Sequence, residues 1–362
     1  MNLVILCIVL VATVSVSSTN DSRILSKGYI DEINSRQNQW KAGVNFDPST
    51  PLSEIRTLLG TIMTGRETGK RIMKTSDPLW PHSKKLPKNF DSRKKWGKKC
   101  PTIKQVLDQG LCGSCWAISA TQAFTDRYCI ATKGKHKARL STSSTLSCCE
   151  NCGNGCSGGW EHLAWDMFHE HGIPSGGLYN TSQGCYPYSI QSPCNNFDNS
   201  PYPECESSRG TPDCMKKCTN RKYKKKMAKD YRFTKRRYSL PQNEEAIMKD
   251  IFVHGPITTS FRVKDDFFNY KSGVYEPAEN TYELGGHAVK LIGWGVEKDV
   301  PYWLVMNSWN EYWGDGGLIK MKRNSPRILL EKNCFAAEAD PDRKFEIENQ
   351  PDEEIDDFDI SA

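Results

Sequence analysis

The stretch Gln109-Gly110-Leu111-Cys112-Gly113-Ser114-Cys115-Trp116-Ala117 sets a cysteine one residue before an aromatic. That cysteine stands at the mouth of an apolar run, Trp116-Ala117-Ile118-Ser119-Ala120, which reads as a helix. A thiol at a helix N-terminus lies at the positive end of the macrodipole, which favours the nucleophilic thiolate. Cys112-Gly113-Ser114-Cys115 is also C-x-x-C, a spacing shared by redox sites, zinc sites and plain disulfides. The redox reading lacks a short strand–helix chain around the motif. The zinc reading lacks a second pair at finger spacing with histidines. Two downstream residues favour a nucleophile: His287 in Gly285-Gly286-His287-Ala288, and Asn307 in Asn307-Ser308-Trp309. A thiol, a base and a group that orients the base can together carry nucleophilic catalysis.

Composition bounds the compartment. Residues 2–17 form an apolar stretch ending in small residues, too short for a comfortable membrane span. Residues 1–17 therefore read as a secretory signal peptide, with a retained anchor as the alternative. No other stretch is apolar enough to span a membrane. Fifteen cysteines in 362 residues fit an oxidising route, with the lysosome or the extracellular space as destinations. Cys7 leaves with the signal, and twelve cysteines besides Cys115 fall between Cys100 and Cys218. That even set is consistent with six disulfides, with Cys115 and Cys334 free. Asn20 and Asn180 head glycosylation sequons. The net charge of +6 is uneven: Lys216 to Arg237 carries twelve basic residues, and the C-terminus is acidic. A basic cluster can bind nucleic acid or glycans. In a secreted chain without a nucleic-acid module it reads as a solvated face, so no nucleic-acid partner is expected.

Along the chain, residues 18–85 are polar and free of cysteine. They hold a helix with Ile30, Ile33 and Trp40 along one face and a second helical run, Leu52 to Leu59. A loose Lys/Arg/Pro-rich stretch, Met73 to Lys85, is the natural place for a proteolytic cut. From Cys115 to about Trp165 helical pattern dominates. Residues 172–222 read as loop stapled by cysteines. After Tyr238 the pattern changes to short strand-like runs: Ile257–Phe261, Ala288–Ile292, Tyr302–Met306 and Leu318–Met321. The thiol thus belongs to a helical half, and His287 and Asn307 to a sheet half. A site at the seam of two lobes follows.

These motifs together resemble the papain-like cysteine proteases, and within them the cathepsin B-like group. The resemblance runs from about Trp40 to Glu338. It rests also on Leu86-Pro87-Lys88-Asn89-Phe90-Asp91, Gly155-Cys156-Ser157-Gly158-Gly159, Tyr270 to Tyr275 and Gly293-Trp294-Gly295. Trp40 to Phe46 resembles that group's inhibitory propeptide. Cys115 and His287 stand 172 positions apart, against roughly 130–150 in papain's nearest relatives. The excess is where the group carries its occluding loop, here 194–205.

The resemblance implies an α+β, two-lobed fold with a helical left lobe and a barrel-like right lobe. It divides the chain into a signal peptide (1–17), an inhibitory propeptide (18–85), a mature protease domain (86–340) and an acidic tail (341–362). It implies hydrolysis of peptide bonds in proteins and peptides, with cystatin-type inhibitors as partners and no cofactor or metal. Cys115 would be the nucleophile, His287 the proton shuttle, Asn307 its orienter and Gln109 the oxyanion donor. Gly158, Gly159, Gly286 and Trp309 would line the substrate cleft. It further implies the pairs Cys100–Cys129, Cys112–Cys156, Cys148–Cys214, Cys149–Cys152, Cys185–Cys218 and Cys194–Cys205.

The chain also departs from the group. Two adjacent occluding-loop histidines that hold a substrate's C-terminal carboxylate are replaced by Asn196 and Phe197. A charge-assisted bond is about twice as strong as a neutral one. Dipeptidyl carboxypeptidase activity is therefore expected to be reduced and endopeptidase activity to dominate. An arginine–aspartate tether of the loop reads here as Tyr202 and Tyr312, so an aromatic contact is expected in its place. The acid at the floor of the S2 pocket falls on Ala339, which predicts bulky apolar side chains at P2 over arginine.

Overall fold

The computed structural model describes residues 23–63, 73–74, 85–194, 200–206 and 210–345. The expected signal peptide, Asn20, Asn196, Phe197 and the tail beyond residue 345 lie outside them.

The N-terminal segment is a helix, a strand and a short helix. In α1 (Lys27–Arg36) the Ser26 hydroxyl accepts from the Tyr29 N–H at 3.2 Å, the N-cap bond that Ala could not supply. Ile30 and Ile33, one turn apart, form its buried face. The helix ends at Arg36, where the Gln37 side chain bonds the Trp40 N–H and carbonyl, so Trp40, expected on the helix face, stands instead on β1 (Trp40–Ala42); α2 (Leu52–Arg56) ends before the run to Leu59 that the pattern predicts. β2 (Met73–Lys74), β3 (Phe90–Asp91) and α3 (Ser92–Trp96) lead into the helical half.

That half is α4 (Cys115–Ala131), α5 (Thr142–Cys148) and α6 (Glu161–Glu170). α4 is buried from Cys115 through Cys129, as a helix without a polar face must be. Phe124 of α4 stacks on Phe168 of α6 with centroids 5.0 Å apart. Among the described residues of 172–222 there is no helix or strand. Disulfides hold this stretch instead. The six bonds are Cys100–Cys129, Cys112–Cys156, Cys148–Cys214, Cys149–Cys152, Cys185–Cys218 and Cys194–Cys205. Cys115 and Cys334 are free and buried.

The sheet half is β4 (Phe233–Ser239), α7 (Glu244–His254), β5 (Ile257–Lys264), β6 (Tyr270–Tyr275), β7 (Glu283–Glu297), β8 (Val300–Met306), β9 (Leu318–Lys322) and β10 (Cys334–Asp340). The strands run in the order β1-β6-β9-β8-β7-β5-β10-β4-β2, with β3 on β7. This is the α+β, two-part architecture expected, with the strands in one open path rather than a closed barrel. Trp294, Trp303, Val305, Ile319 and Met321 fill its core. Trp40, Phe46, Ile55 and Leu58 of the N-terminal segment join that same core. The segment is thus packed as part of the sheet half, and β1 extends the sheet antiparallel to β6.

Candidate active site

Cys115 opens α4 and is wholly buried. Its thiol lies 3.3 Å from Thr61 Oγ1 of the N-terminal segment. His287 stands on β7, and Asn307 follows the last residue of β8. The β7–β8 ladder, which pairs Lys290 with Met306, brings the two side chains together. His287 Nε2 lies 2.7 Å from Asn307 Oδ1. The Trp309 ring covers His287, with centroids 4.7 Å apart. Trp309 is itself held parallel to Phe268, 5.5 Å away at 11°. An aromatic lid of this kind keeps water from the His287–Asn307 bond.

Gln109 is fixed from behind. Its N–H donates to Ser308 O at 2.9 Å, and its Oε1 accepts from Ser308 Oγ at 2.8 Å. Its Nε2 is thereby aimed forward and donates to the Leu58 carbonyl at 3.0 Å, and to Cys112 O at 2.8 Å. Ser308 was not singled out from the sequence, although it stands between Asn307 and Trp309.

The N-terminal segment lies in the cleft between Gly158–Gly159 and Gly286. Gly159 N–H donates to Gly60 O at 2.9 Å, Ile62 N–H to Gly159 O at 3.0 Å, and Thr61 N–H to Gly286 O at 3.0 Å. Two glycines are required by close approach. A Cβ on Gly286 would lie 2.2 Å from Thr61 O, and one on Gly60 would lie 1.8 Å from Gly113 O. Both are distances at which backbones must separate.

This covering resets the charges. Burial pushes the Cys115 thiol up, against the opposing effects of the Ala288 N–H and Thr61. Burial pushes His287 down to about 4, against the opposing Asn307 bond. In the covered site burial opposes both the thiolate that the helix terminus favours and the imidazolium.

The remaining candidates sit around this centre. Ala339 of β10 is half-buried against the helical core. Glu338 is turned to Arg236, its ladder partner, 3.6 Å away. Asp108 Oδ2 accepts from the Cys194 N–H at 3.2 Å and from Asn310 Nδ2 at 2.8 Å, anchoring the start of the 194–205 loop. Tyr202 and Tyr312 meet edge to face, 5.6 Å between centroids at 89°. The Tyr202 hydroxyl donates to Glu311 at 2.5 Å. Asn180 is exposed, with a left-handed φ of 53°. No helix among the described residues is long and apolar enough to cross a membrane.

Comparison with known proteins identifies the family. A family model described as "Papain family cysteine protease" matches residues 86–338, and one described as "Peptidase family C1 propeptide" matches residues 25–65. A "Cathepsin B-like cysteine proteinase" of Schistosoma japonicum is 39% identical over 328 residues, covering 89% of this chain and 93% of that protein. "Cathepsin B-like cysteine proteinase 4" of Caenorhabditis elegans is 36% identical, covering 83% of this chain and 88% of the other. Among solved structures, "proCathepsin B S9 from Trypanosoma congolense" superposes with a TM-score of 0.71 at 32% identity, over 88% of this chain and 99% of that one.

Proposed function

Since this chain belongs to the papain family of cysteine proteases and is cathepsin B-like, with a propeptide in place, we propose that it cleaves peptide bonds through Cys115, His287, Asn307 and Gln109. The observation that carries this is the Leu58 carbonyl held by Gln109 Nε2 at 3.0 Å. A peptide carbonyl already occupies the place where an oxyanion would be stabilised.

The steps follow from the geometry. Asn307 Oδ1 takes the Nε2–H of His287, which leaves Nδ1 to exchange a proton with the thiol. Once the segment leaves, water and substrate reach the pair, and proton transfer from Cys115 to Nδ1 gives thiolate and imidazolium. Sulfur adds to the scissile carbonyl. Gln109 Nε2 and the Cys115 N–H hold the negative oxygen. The C–N bond then breaks as His287 gives its proton to the leaving amine. Water, deprotonated by His287, hydrolyses the thioester and restores the thiol.

Residues 18–85 act as the inhibitor until a cut within 73–85 releases them. Residues 1–17, removed afterwards, would direct the chain into the secretory pathway, where Asn20 and Asn180 can be glycosylated, and on to a lysosome or outside the cell, where cystatin-type inhibitors are met. With Asn196 and Phe197 in place of carboxylate-holding histidines, the enzyme is mainly an endopeptidase.

The test is mass spectrometry of peptides digested at mildly acidic pH by the matured enzyme, with Cys115→Ala as control. Internal cuts with few released C-terminal dipeptides are expected. Stepwise loss of C-terminal dipeptides would refute the endopeptidase assignment. No cuts beyond the control would refute the protease assignment itself.

A further inference from the structure

Positive charge gathers on one face without a matching counter-charge among the described residues. Lys216, Lys217 and all six Lys and Arg of 221–229 are exposed. The one acid between 216 and 237, Asp230, is buried and holds Ser175, Tyr223 and Arg232. Among the described residues the ion pairs of this stretch belong to Arg232, Arg236 and Arg237 alone. The turn after α4 adds Lys133, Lys135 and Lys137, all exposed. The two stretches meet in space: besides burial, Arg232, Lys225 and Lys135 push His136 of that turn down. The turn stands a helix length, about 25 Å, from Cys115 at the other end of α4.

The chain leaves the fold at the edge of this face. Arg343 lies over the Phe233 ring, 4.4 Å from its centroid, and donates to the Glu170 carbonyl at 3.3 Å. Phe345 stacks on Tyr231, with centroids 4.8 Å apart at 29°. Burial pushes Tyr128 of α4 up, and Asp340 and Asp342 act the same way against Arg232, which lies over its ring. The seventeen residues that follow Phe345 carry eight Asp and Glu and no Lys, Arg or His. Their eight acids equal in number the cations of 216–229. Fully extended, they reach roughly 55 Å, well beyond the length of α4.

Lysines solvated one by one are the plain alternative, and the tether argues against it. Like charges gathered on one face repel one another. A single exposed ion pair is weak and is screened by salt. A segment anchored at Phe345, however, meets the face at an effective concentration of about millimolar, and its charges act together.

We propose that residues 346–362 lie on the basic face formed by 216–229 and the turn at 133–137, as a built-in counter-charge that keeps other polyanions off it. The contact is electrostatic, so it loosens as salt rises. It stands apart from the cleft, so turnover of small peptides does not depend on it.

The test uses the full chain and a chain ended after Phe345. A carbodiimide joins a carboxylate to a lysine amine in contact with it, and mass spectrometry of the digested protein maps the links. In the full chain the carboxylates of 346–362 should be joined to lysines of 216–229 and 133–137, and NaCl at about 0.5 M should remove those links. Links spread evenly onto exposed lysines elsewhere, such as Lys27, Lys41 and Lys298, overturn the proposal. A fluorescein-labelled 346–362 peptide should bind the shortened chain, and should bind the full chain at least roughly tenfold more weakly, because there the face is occupied. Equal affinity for the two chains, or none for the shortened one, overturns the proposal. The triple variant Lys222→Glu/Lys225→Glu/Lys226→Glu of the shortened chain, at exposed positions, should lose the peptide, and undiminished binding overturns the assignment of the face.

Discussion

Lys290 Nζ lies 2.8 Å from Asp126 Oδ2, with both side chains 1% exposed. Lys290 is three residues past His287 on β7, and Asp126 is on α4, the helix that Cys115 opens. The pair ties the strand of the base to the helix of the thiol. Asp126 Oδ1 also accepts from Thr102 Oγ1 at 3.0 Å. Breaking a buried pair by removing one partner costs about 3–5 kcal/mol, because the other charge stays buried alone. Asp126→Asn or Lys290→Met should therefore lower the urea midpoint of the matured enzyme sharply, and the double variant Asp126→Leu/Lys290→Met should lose less. A double variant as unstable as the sum of the singles would show that the two charges are not coupled.

The assigned roles predict graded losses. Cys115→Ala should abolish turnover. His287→Ala should lower kcat by roughly 10²–10⁴, the usual worth of a general base. Asn307→Ala should cost less, because Trp309 still holds the imidazole from one side. Steady-state kinetics on one peptide amide checks the order, and an Asn307→Ala loss equal to that of His287→Ala would contradict it.

Covering the site should be visible as thiol chemistry. In the zymogen Cys115 is shifted upward and His287 sits at about 4, so near neutral pH neither is charged. Alkylation follows the thiolate. Iodoacetamide should label Cys115 of the zymogen slowly until the pH becomes alkaline. After maturation it should label the same residue rapidly at mildly acidic pH. Equal rates in the two forms below pH 7 would mean that the segment does not control the ionisation.

The segment's grip depends on one missing side chain. At Gly60 a Cβ would fall 1.8 Å from Gly113 O. Gly60→Val must push the strand out of the cleft, so a synthetic 23–63 peptide bearing it should inhibit the matured enzyme at least roughly tenfold more weakly. Undiminished inhibition would show that the cleft tolerates the displacement.

The Tyr202–Tyr312 contact offers a test at the other end of the cleft. An edge-to-face pair contributes about 0.5–1.5 kcal/mol beyond burial. Tyr312→Ala should free the 194–205 loop and shift the ratio of dipeptide release to internal cutting. An unchanged ratio would mean that the contact does not hold the loop.

Much of the site was legible because its residues sit in local motifs. The Gln109 to Ala117 run, Gly286-His287 and Asn307-Ser308-Trp309 each announce themselves within a few positions. So do the strands β5, β7, β8 and β9, whose apolar runs are short and bounded. What was hidden depends on distant pairing. Nothing near Cys115 signals that Thr61 will reach its sulfur, or that Lys290 will find Asp126. The effect of covering on the thiol was hidden for the same reason. The helix dipole is a local property, whereas the desolvation that opposes it comes from a segment far upstream.

The cross-links are confined to one side of the seam. All six disulfides fall between Cys100 and Cys218, and the sheet that carries His287 and Asn307 contributes only Cys334, which is free. The two halves of the catalytic set thus answer to different environments. Reducing conditions would act on the scaffold of the thiol and of the 194–205 loop, and would leave untouched the scaffold of the base, which packing, ladder hydrogen bonds and the Lys290–Asp126 pair hold. The loop, closed by Cys194–Cys205 across eleven positions, could then be loosened by a change of redox potential while the strands beneath His287 stay in register.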